Sequence, residues 1–276
     1  MISTFSFLQD IAVRPLAAAE VRRLNKSGVP LARTLATCID QAFHDRLSEA
    51  EQRLIGRIQS RRAMLEHSNE QITITDYGAG RKTNGGDGAH SIGNVARNSS
   101  KPHQWAMQLF RLIRSFTPLS CLELGTCLGI SGMYEAAALQ LNAKGKLVTL
   151  EGDESLAEMA RRNFSELGFT NAEVVQGRFQ DTLEAAARRI CPIDFVFIDG
   201  HHAGEWMTKY FEMVFPFLSS HALVLFDDIH WSRDMKRAWD AVKRDPRILL
   251  NSDLYQLGIT IVNKSTQCTY GGVNAG

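Results

Sequence analysis

The chain is short of cysteine, of net charge and of long apolar runs, and each shortage closes off a class of protein. Its five cysteines (Cys38, Cys121, Cys127, Cys191, Cys268) are scattered and form no Cys-x-x-Cys pair. That argues against a disulfide framework and a structural zinc site, and makes a reducing cytoplasm the expected compartment. The formal charge is only +1 over 276 residues, so there is no electrostatic footprint for nucleic acid or an anionic membrane. No apolar run approaches the roughly 20 residues that a membrane-spanning helix needs. The opening MISTFSFLQDIAVRPL lacks the basic start and long apolar stretch of a signal peptide. A Gly-x-Gly-x-x-Gly fingerprint is also missing, which argues against a nicotinamide dehydrogenase. Internal repeats are absent.

What is present is an ordinary globular composition, 44% hydrophobic and 22% charged, long enough for one large domain with an extension. Residues 1–67 form an N-terminal helical extension. In EQRLIGRIQSRRAMLEHS, Leu54, Ile58 and Leu65 share a helical face, while Arg53, Arg57, Arg61 and Arg62 read as a solvated one. Residues 68–100 begin with an extended piece, QITITDYGAG, and continue as a Gly/Asn/Ser-rich lid or flexible loop with little apolar surface to bury. Residues 265–276 read as a polar tail.

From Lys101 to residue 264, helical and extended periods alternate. SCLEL, KLVTLE, AEVVQ, IDFVFID and ALVLF are strands, with helices between them. Ser232 suits the start of a helix burying Met235, Trp239 and Val242. RILLN and LYQLGITIV are too close for a helical crossover and must run antiparallel. The expected fold class is α/β, a doubly wound Rossmann-like sheet, mostly parallel, with an antiparallel C-terminal hairpin.

In such a sheet ligands bind beyond the carboxyl ends of the strands. The first strand leads into Glu123-Leu-Gly-Thr-Cys-Leu-Gly129, where Gly125 and Gly129 permit a tight turn close to a ligand. The second ends in Glu151, where a ribose-binding carboxylate belongs. The fourth ends in Asp199-Gly-His-His202, and the fifth in Asp227-Asp228 followed by His230. A single strand-end acid often caps the next helix; four in order are hard to explain that way.

CLELGTCLGIS resembles motif I of the class I S-adenosylmethionine-dependent methyltransferases, in the form found in catechol and caffeoyl-CoA O-methyltransferases and bacterial relatives. VTLEG, VVQGRF and FVFIDGHH are similar to the next three motifs. The resemblance implies that Glu123, Gly125, Thr126, Gly129 and Ser131 cradle the methionine part of S-adenosylmethionine, Glu151 the ribose, and Gly177, Arg178 and Phe179 the adenine. It also implies a divalent cation, expected as magnesium, on Asp199, Asp227 and Asp228. The last stands where those enzymes carry Asn, an added charge that an oxygen-loving cation can tolerate. His202 stands where the catechol enzymes carry a basic lysine, and an imidazole is a side chain able to take a hydroxyl proton at neutral pH. His201 and His230 read as ordinary partly buried side chains, Trp206 and Trp231 as candidate pocket walls, and Trp239 as core. The expected reaction is O-methylation of a small-molecule hydroxyl, with a homodimer as a candidate assembly. The alternatives are a metal-independent O- or N-methyltransferase that uses His202, and a non-catalytic cofactor-binding module.

Overall fold

Strands that are apolar on both sides oblige the chain to cover both faces of their sheet. The computed structural model describes residues 4–44, 47–75 and 88–264. Helices α1 (Thr4–Asn25), α2 (Pro30–Ala42) and α3 (Glu49–Glu66) come first. Strand β1 (Gln71–Ile74) pairs antiparallel with β2 (Gly88–Ser91), followed by α4 (Ile92–Asn98) and α5 (His103–Phe116). Then come β3 (Ser120–Leu124), α6 (Ile130–Leu141), β4 (Lys146–Glu151), α7 (Glu154–Glu166), β5 (Ala172–Gln176), α8 (Phe179–Ile190) and β6 (Ile193–Ile198). The remaining elements are α9 (Gly204–Val214), β7 (Leu218–Asp227), α10 (Arg233–Val242), β8 (Ile248–Asp253) and β9 (Leu257–Val262).

The large sheet has the order β5-β4-β3-β6-β7-β9-β8. Strands β3 to β7 are parallel, and β9 runs antiparallel to both β7 and β8. The doubly wound sheet with its antiparallel end is therefore present. Successive strands step outward from β3 on one side through β4 and β5, and on the other through β6 and β7. That reversal opens a crevice at the carboxyl ends of β3 and β6.

The period of two along each strand sorts its side chains between two cores. Cys121, Leu147, Phe195, Phe197, Leu223 and Leu225 join a cluster with residues of α5, α6 and α7. Leu122, Leu124, Val148, Val196, Val224 and Phe226 join another with residues of α8, α9 and α10. Each fully buried Leu or Phe contributes roughly 1.5–3 kcal/mol, so these two clusters hold the sheet in place.

The N-terminal helices belong to the first of these cores. Leu24, Leu35 and Ile39 share it with Leu250 and Ile259, and Ser252 Oγ donates to Glu20 at 2.8 Å. Helix α3 starts with a reciprocal cap, in which the Ser48 side chain accepts from Glu51 N–H and Glu51 accepts from Ser48 N–H. The expectation of a solvated arginine face on α3 is corrected in part by its docking on α7. Arg61 reaches Asn163 at 2.8 Å and Glu166 at 2.7 Å, and Arg62 donates to Lys101 O at 2.8 Å. Arg53 and Arg57 match the solvated reading in exposure, although Arg57 also donates to Leu167 O at 2.9 Å.

The expected loop over 68–100 is also corrected in part. Residues 88–98 form β2 and α4, and α4 buries Ile92, Val95 and Ala96 under the Ser91 cap. Residues 76–87 of that loop, and the tail at 265–276, lie outside the described residues. Among the described residues, no helix is long and apolar enough to cross a membrane.

Candidate active site

The turn after β3 rests on a closed knot of polar side chains. Glu123 is fully buried; Ser131 Oγ donates to one carboxylate oxygen and Thr149 Oγ1 to the other, the latter at 2.6 Å. Thr126 Oγ1 lies 2.5 Å from Thr149 Oγ1. Burial pushes the Glu123 carboxyl up to about 7; the two hydroxyl bonds oppose that rise and Glu151 adds to it. Of the expected cofactor residues, Glu123, Thr126 and Ser131 thus sit beneath the turn, bonded to one another or through Thr149.

Above the knot, Gly125 has φ +103°, and a Cβ there would lie 1.9 Å from the carbonyl oxygen of Asp199. Glycine is demanded by the approach of β6's end, before any ligand is considered. Gly129 caps α6 at φ +77°. Between them, Cys127 donates its N–H to Glu151 at 2.7 Å.

Over this turn lies a cavity of about 230 Å³, lined by residues from the ends of β3, β4, β5 and β6 but not by Asp227 or Asp228 at the end of β7. Gly125 and Cys127 come from β3's turn, Glu151 to Asp153 from β4's, Arg178 and Phe179 from β5's, and Asp199 to His202 from β6's. Glu151 accepts from Cys127 N–H and from Asp153 N–H at 3.0 Å, and burial raises its carboxyl above the usual range. Gly177, at β5's end, donates its N–H to Glu151 O at 2.8 Å. A glycine turn facing a carboxylate in a cleft fits a ribose-bearing cofactor with a tightly approached tail, the chemistry expected of S-adenosylmethionine. Ile74, Thr75 and Ser99 complete the wall. Thr75 N–H donates to Asp153 Oδ2 at 2.7 Å, which ties the small β1–β2 pair to the cavity.

The expected magnesium ligands do come together, but around an amino-acid cation. Lys101 Nζ bonds Asp227 Oδ2 and lies 3.7 Å from Asp199 Oδ2. Its side chain is only 9% exposed. Burial alone would lower the Lys101 pKa, but Asp199, Asp227 and Asp228 outweigh it and hold the ammonium charged. Burial likewise works to raise Asp227, and is overcome by Lys101 and by a hydrogen bond from Asp199, so Asp227 stays below the usual carboxylate range. Asp199, desolvated and beside Asp227, is pushed well above that range. Asp228 turns away at φ +49°, its carboxylate 3.6 Å from His202 Nδ1. Among the described residues, no group of three His, Cys, Asp or Glu side chains is arranged to hold a metal ion. The donor set therefore does not fit the magnesium ion that the resemblance implies.

The two adjacent histidines part company. His201, at φ +61°, is packed among Phe179, Trp206 and Tyr210, and its Nδ1 lies 2.8 Å from Tyr210 Oη. His202 lines the cavity beside Trp231, whose ring centre is 6.2 Å away and which is 54% exposed. His230 is held by Asp253 at 3.1 Å and stacks on Tyr255. Trp206 stacks on Tyr210 rather than among the residues lining the cavity. Trp239 is fully buried and donates to Asp253 at 2.8 Å.

Sequence reasoning missed Lys101, Cys127, Asp153 and Thr75. Asp153 carried a visible signal: it is the N-cap of α7, accepting from Leu156 N–H at 2.8 Å. Lys101, one of 31 basic residues, carried none, because nothing local marks a lysine before a proline as buried.

The parallel sheet, the crevice at its switch point and a glycine turn opposite Glu151 together define a class I S-adenosylmethionine-dependent methyltransferase fold. Residues 122–229, which build most of the cavity, match the family model described as "Methyltransferase domain". Over 110 residues the chain is 32% identical to a catechol O-methyltransferase of Niastella koreensis, covering 39% of this chain and 48% of that one. The chain thus spans about half the length of the curated relative it matches. Two solved structures share the fold. The O-methyltransferase TomG from Streptomyces achromogenes, in complex with S-adenosylmethionine, matches with TM-score 0.52 at 22% identity over 60% of this chain and 82% of that one. An O-methyltransferase from Bacillus cereus, in complex with S-adenosylhomocysteine, matches with TM-score 0.51 at 19% identity over 91% and 100%.

Proposed function

We propose that this chain transfers the methyl group of S-adenosylmethionine to a hydroxyl oxygen of a small molecule, with His202 as the general base. One observation carries the reading: Glu151, the ribose-type carboxylate, and His202, the candidate base, line the same cavity. When bound, the cofactor supplies an electrophilic methyl group on a sulfonium. Gly125, Glu151, Arg178 and Phe179, which line the cavity, would hold it. The chain's remaining work is to orient the acceptor oxygen and take its proton, since methyl transfer is mostly a matter of positioning plus activation of a weak nucleophile.

With that methyl group supplied to the acceptor oxygen and the sulfur keeping the electron pair of the broken bond, the hydroxyl proton would pass to the imidazole of His202. Asp228 faces His202 Nδ1, which leaves Nε2 as the proton-accepting nitrogen and supports the imidazolium that results. This gives the Asp at 228 a role as partner of the base in place of the expected role as metal ligand. Trp231 offers a flat apolar face beside His202, suited to a planar, ring-bearing alcohol. The similarity to a catechol O-methyltransferase supports the same acceptor class.

The test is a calorimetric titration with S-adenosylhomocysteine, followed by labelled methyl transfer to a panel of phenols. His202→Gln is expected to lower kcat by about 10²–10⁴-fold while leaving affinity for S-adenosylhomocysteine unchanged. Failure of the wild-type chain to bind S-adenosylhomocysteine would refute the proposal.

A further inference from the structure

We propose that the ammonium of Lys101 is the resident cation of this site, a built-in replacement for a divalent ion between Asp199 and Asp227. The inference rests on the methyl-transfer reading for its consequence, that the reaction proceeds without a metal. It rests on geometry alone for the occupancy of the site.

The ammonium bonds Asp227 Oδ2 and stands 3.7 Å from Asp199 Oδ2, so it fills the space between the two carboxylates. A calcium or magnesium ion binds oxygen at about 2.0–2.6 Å. To reach those same oxygens it would have to displace the ammonium or be packed against it, and the repulsion between two cations in a buried site opposes the second. The lysine is not free to leave. Its carbonyl is held by Arg62 of α3, its ammonium lies 5.6 Å from the centre of the Phe197 ring, and its side chain is almost wholly enclosed. The third acid of the expected ligand set is committed elsewhere, since Asp228 faces His202.

Lys101 is thus a positioning residue. It supplies the counter-charge for buried Asp227 and so fixes the end of β7 beside Asp199, whose carbonyl packs on Gly125 and whose side chain lines the cavity. Magnesium would do this with two charges and strict octahedral geometry. The lysine does it with one charge and a covalent tether, which cannot be chelated away.

Full-length wild type, Lys101→Ala and Lys101→Arg are titrated with Mn²⁺ alone, with free Mn²⁺ followed by electron paramagnetic resonance and thermal melting recorded with and without the ion. Wild type and Lys101→Arg are expected to bind no stoichiometric Mn²⁺ and to show the same melting temperature with or without it. Lys101→Ala is expected to melt lower, to bind one Mn²⁺ at least tenfold more tightly than wild type, and to regain melting temperature as it does. Wild-type turnover is expected to be unchanged by a chelator. Stoichiometric Mn²⁺ binding by wild type overturns the proposal, as does a folded Lys101→Ala that binds no more Mn²⁺ than wild type. If Lys101→Ala does not fold, the wild-type titration still decides. A chain that binds no S-adenosylhomocysteine, yet behaves as described with Mn²⁺, would sink the methyl-transfer reading and leave the resident cation standing.

Discussion

Glu135 offers a sharp test of how burial and charge are balanced under the β3 turn. It lies on α6 with no exposed surface, and neither carboxyl oxygen has a hydrogen-bond partner. Burial, and then the negative charge of nearby Glu123, push its carboxyl well above the usual range. Replacing it by methionine keeps a similar length and removes two unsatisfied polar atoms. An unpartnered buried polar group costs about 1–3 kcal/mol, so Glu135→Met is expected to be the more stable protein. At roughly 2–4 °C per kcal/mol for a chain of this size, the melting temperature should rise by several degrees. The sign of the pH dependence follows from the raised value. The folded state holds the proton more tightly than the unfolded chain, in which a glutamate titrates at about 4.3. The stabilisation is complete below that pH and is lost as pH rises toward the folded value, at about 1.4 kcal/mol per pH unit. Glu135→Met is free of this loss. Urea denaturation of both proteins at pH 5, 6 and 7 should therefore show a stability gap that widens with pH. A gap that stays flat, or closes as pH rises, would refute the reasoning.

Three further outcomes follow from the same geometry. Gly125→Ala places a methyl group 1.9 Å from Asp199 O at φ +103°; strain at such a position costs on the order of 1–3 kcal/mol before the clash, and a lowered melting temperature with loss of S-adenosylhomocysteine binding is expected. Glu151→Ala removes a carboxylate acceptor, and hydrogen bonds to charged groups contribute about 1.5–3 kcal/mol, so calorimetry should show S-adenosylhomocysteine affinity weakened by about ten- to a hundredfold. Ser48→Ala abolishes the reciprocal cap of α3 and should cost about 0.5–2 kcal/mol, read from urea denaturation, with methyl-transfer activity unchanged where the protein stays folded.

The sheet was legible because each of its layers leaves a local mark. SCLEL, KLVTLE and AEVVQ coincide with β3, β4 and β5, since a strand buried on both faces has to be a short apolar run between turns. The strand-end acids were legible for a related reason: at the end of such a run a carboxylate is conspicuous. What those acids bind was not. Asp199 and Asp227 look the same in a sequence whether their counter-charge is an ion or an ammonium, and Lys101 precedes Asp227 by most of the sheet. The arginines of α3 misled in the opposite direction. Their spacing is that of a solvated stripe, yet Arg57, Arg61 and Arg62 each end on a partner from a distant segment. Helix α4 was hidden in a Gly/Asn-rich stretch because only Ile92, Val95 and Ala96 carry its buried side.

The bond from Arg62 to the carbonyl of Lys101 bears on how far the domain is modular. The recognisable segment, residues 122–229, contains Asp199, Asp227, Asp228 and His202 but not the lysine that neutralises the acids, nor the helix that grips it. Transplanted alone into another protein, that segment would carry the buried Asp227 carboxylate with no internal counter-charge. It would have to recruit a cation from solution, take up a proton or expose the end of the strand that bears it. The smallest unit that can be recombined intact is therefore set by electrostatics rather than by sequence similarity, and it begins no later than α3.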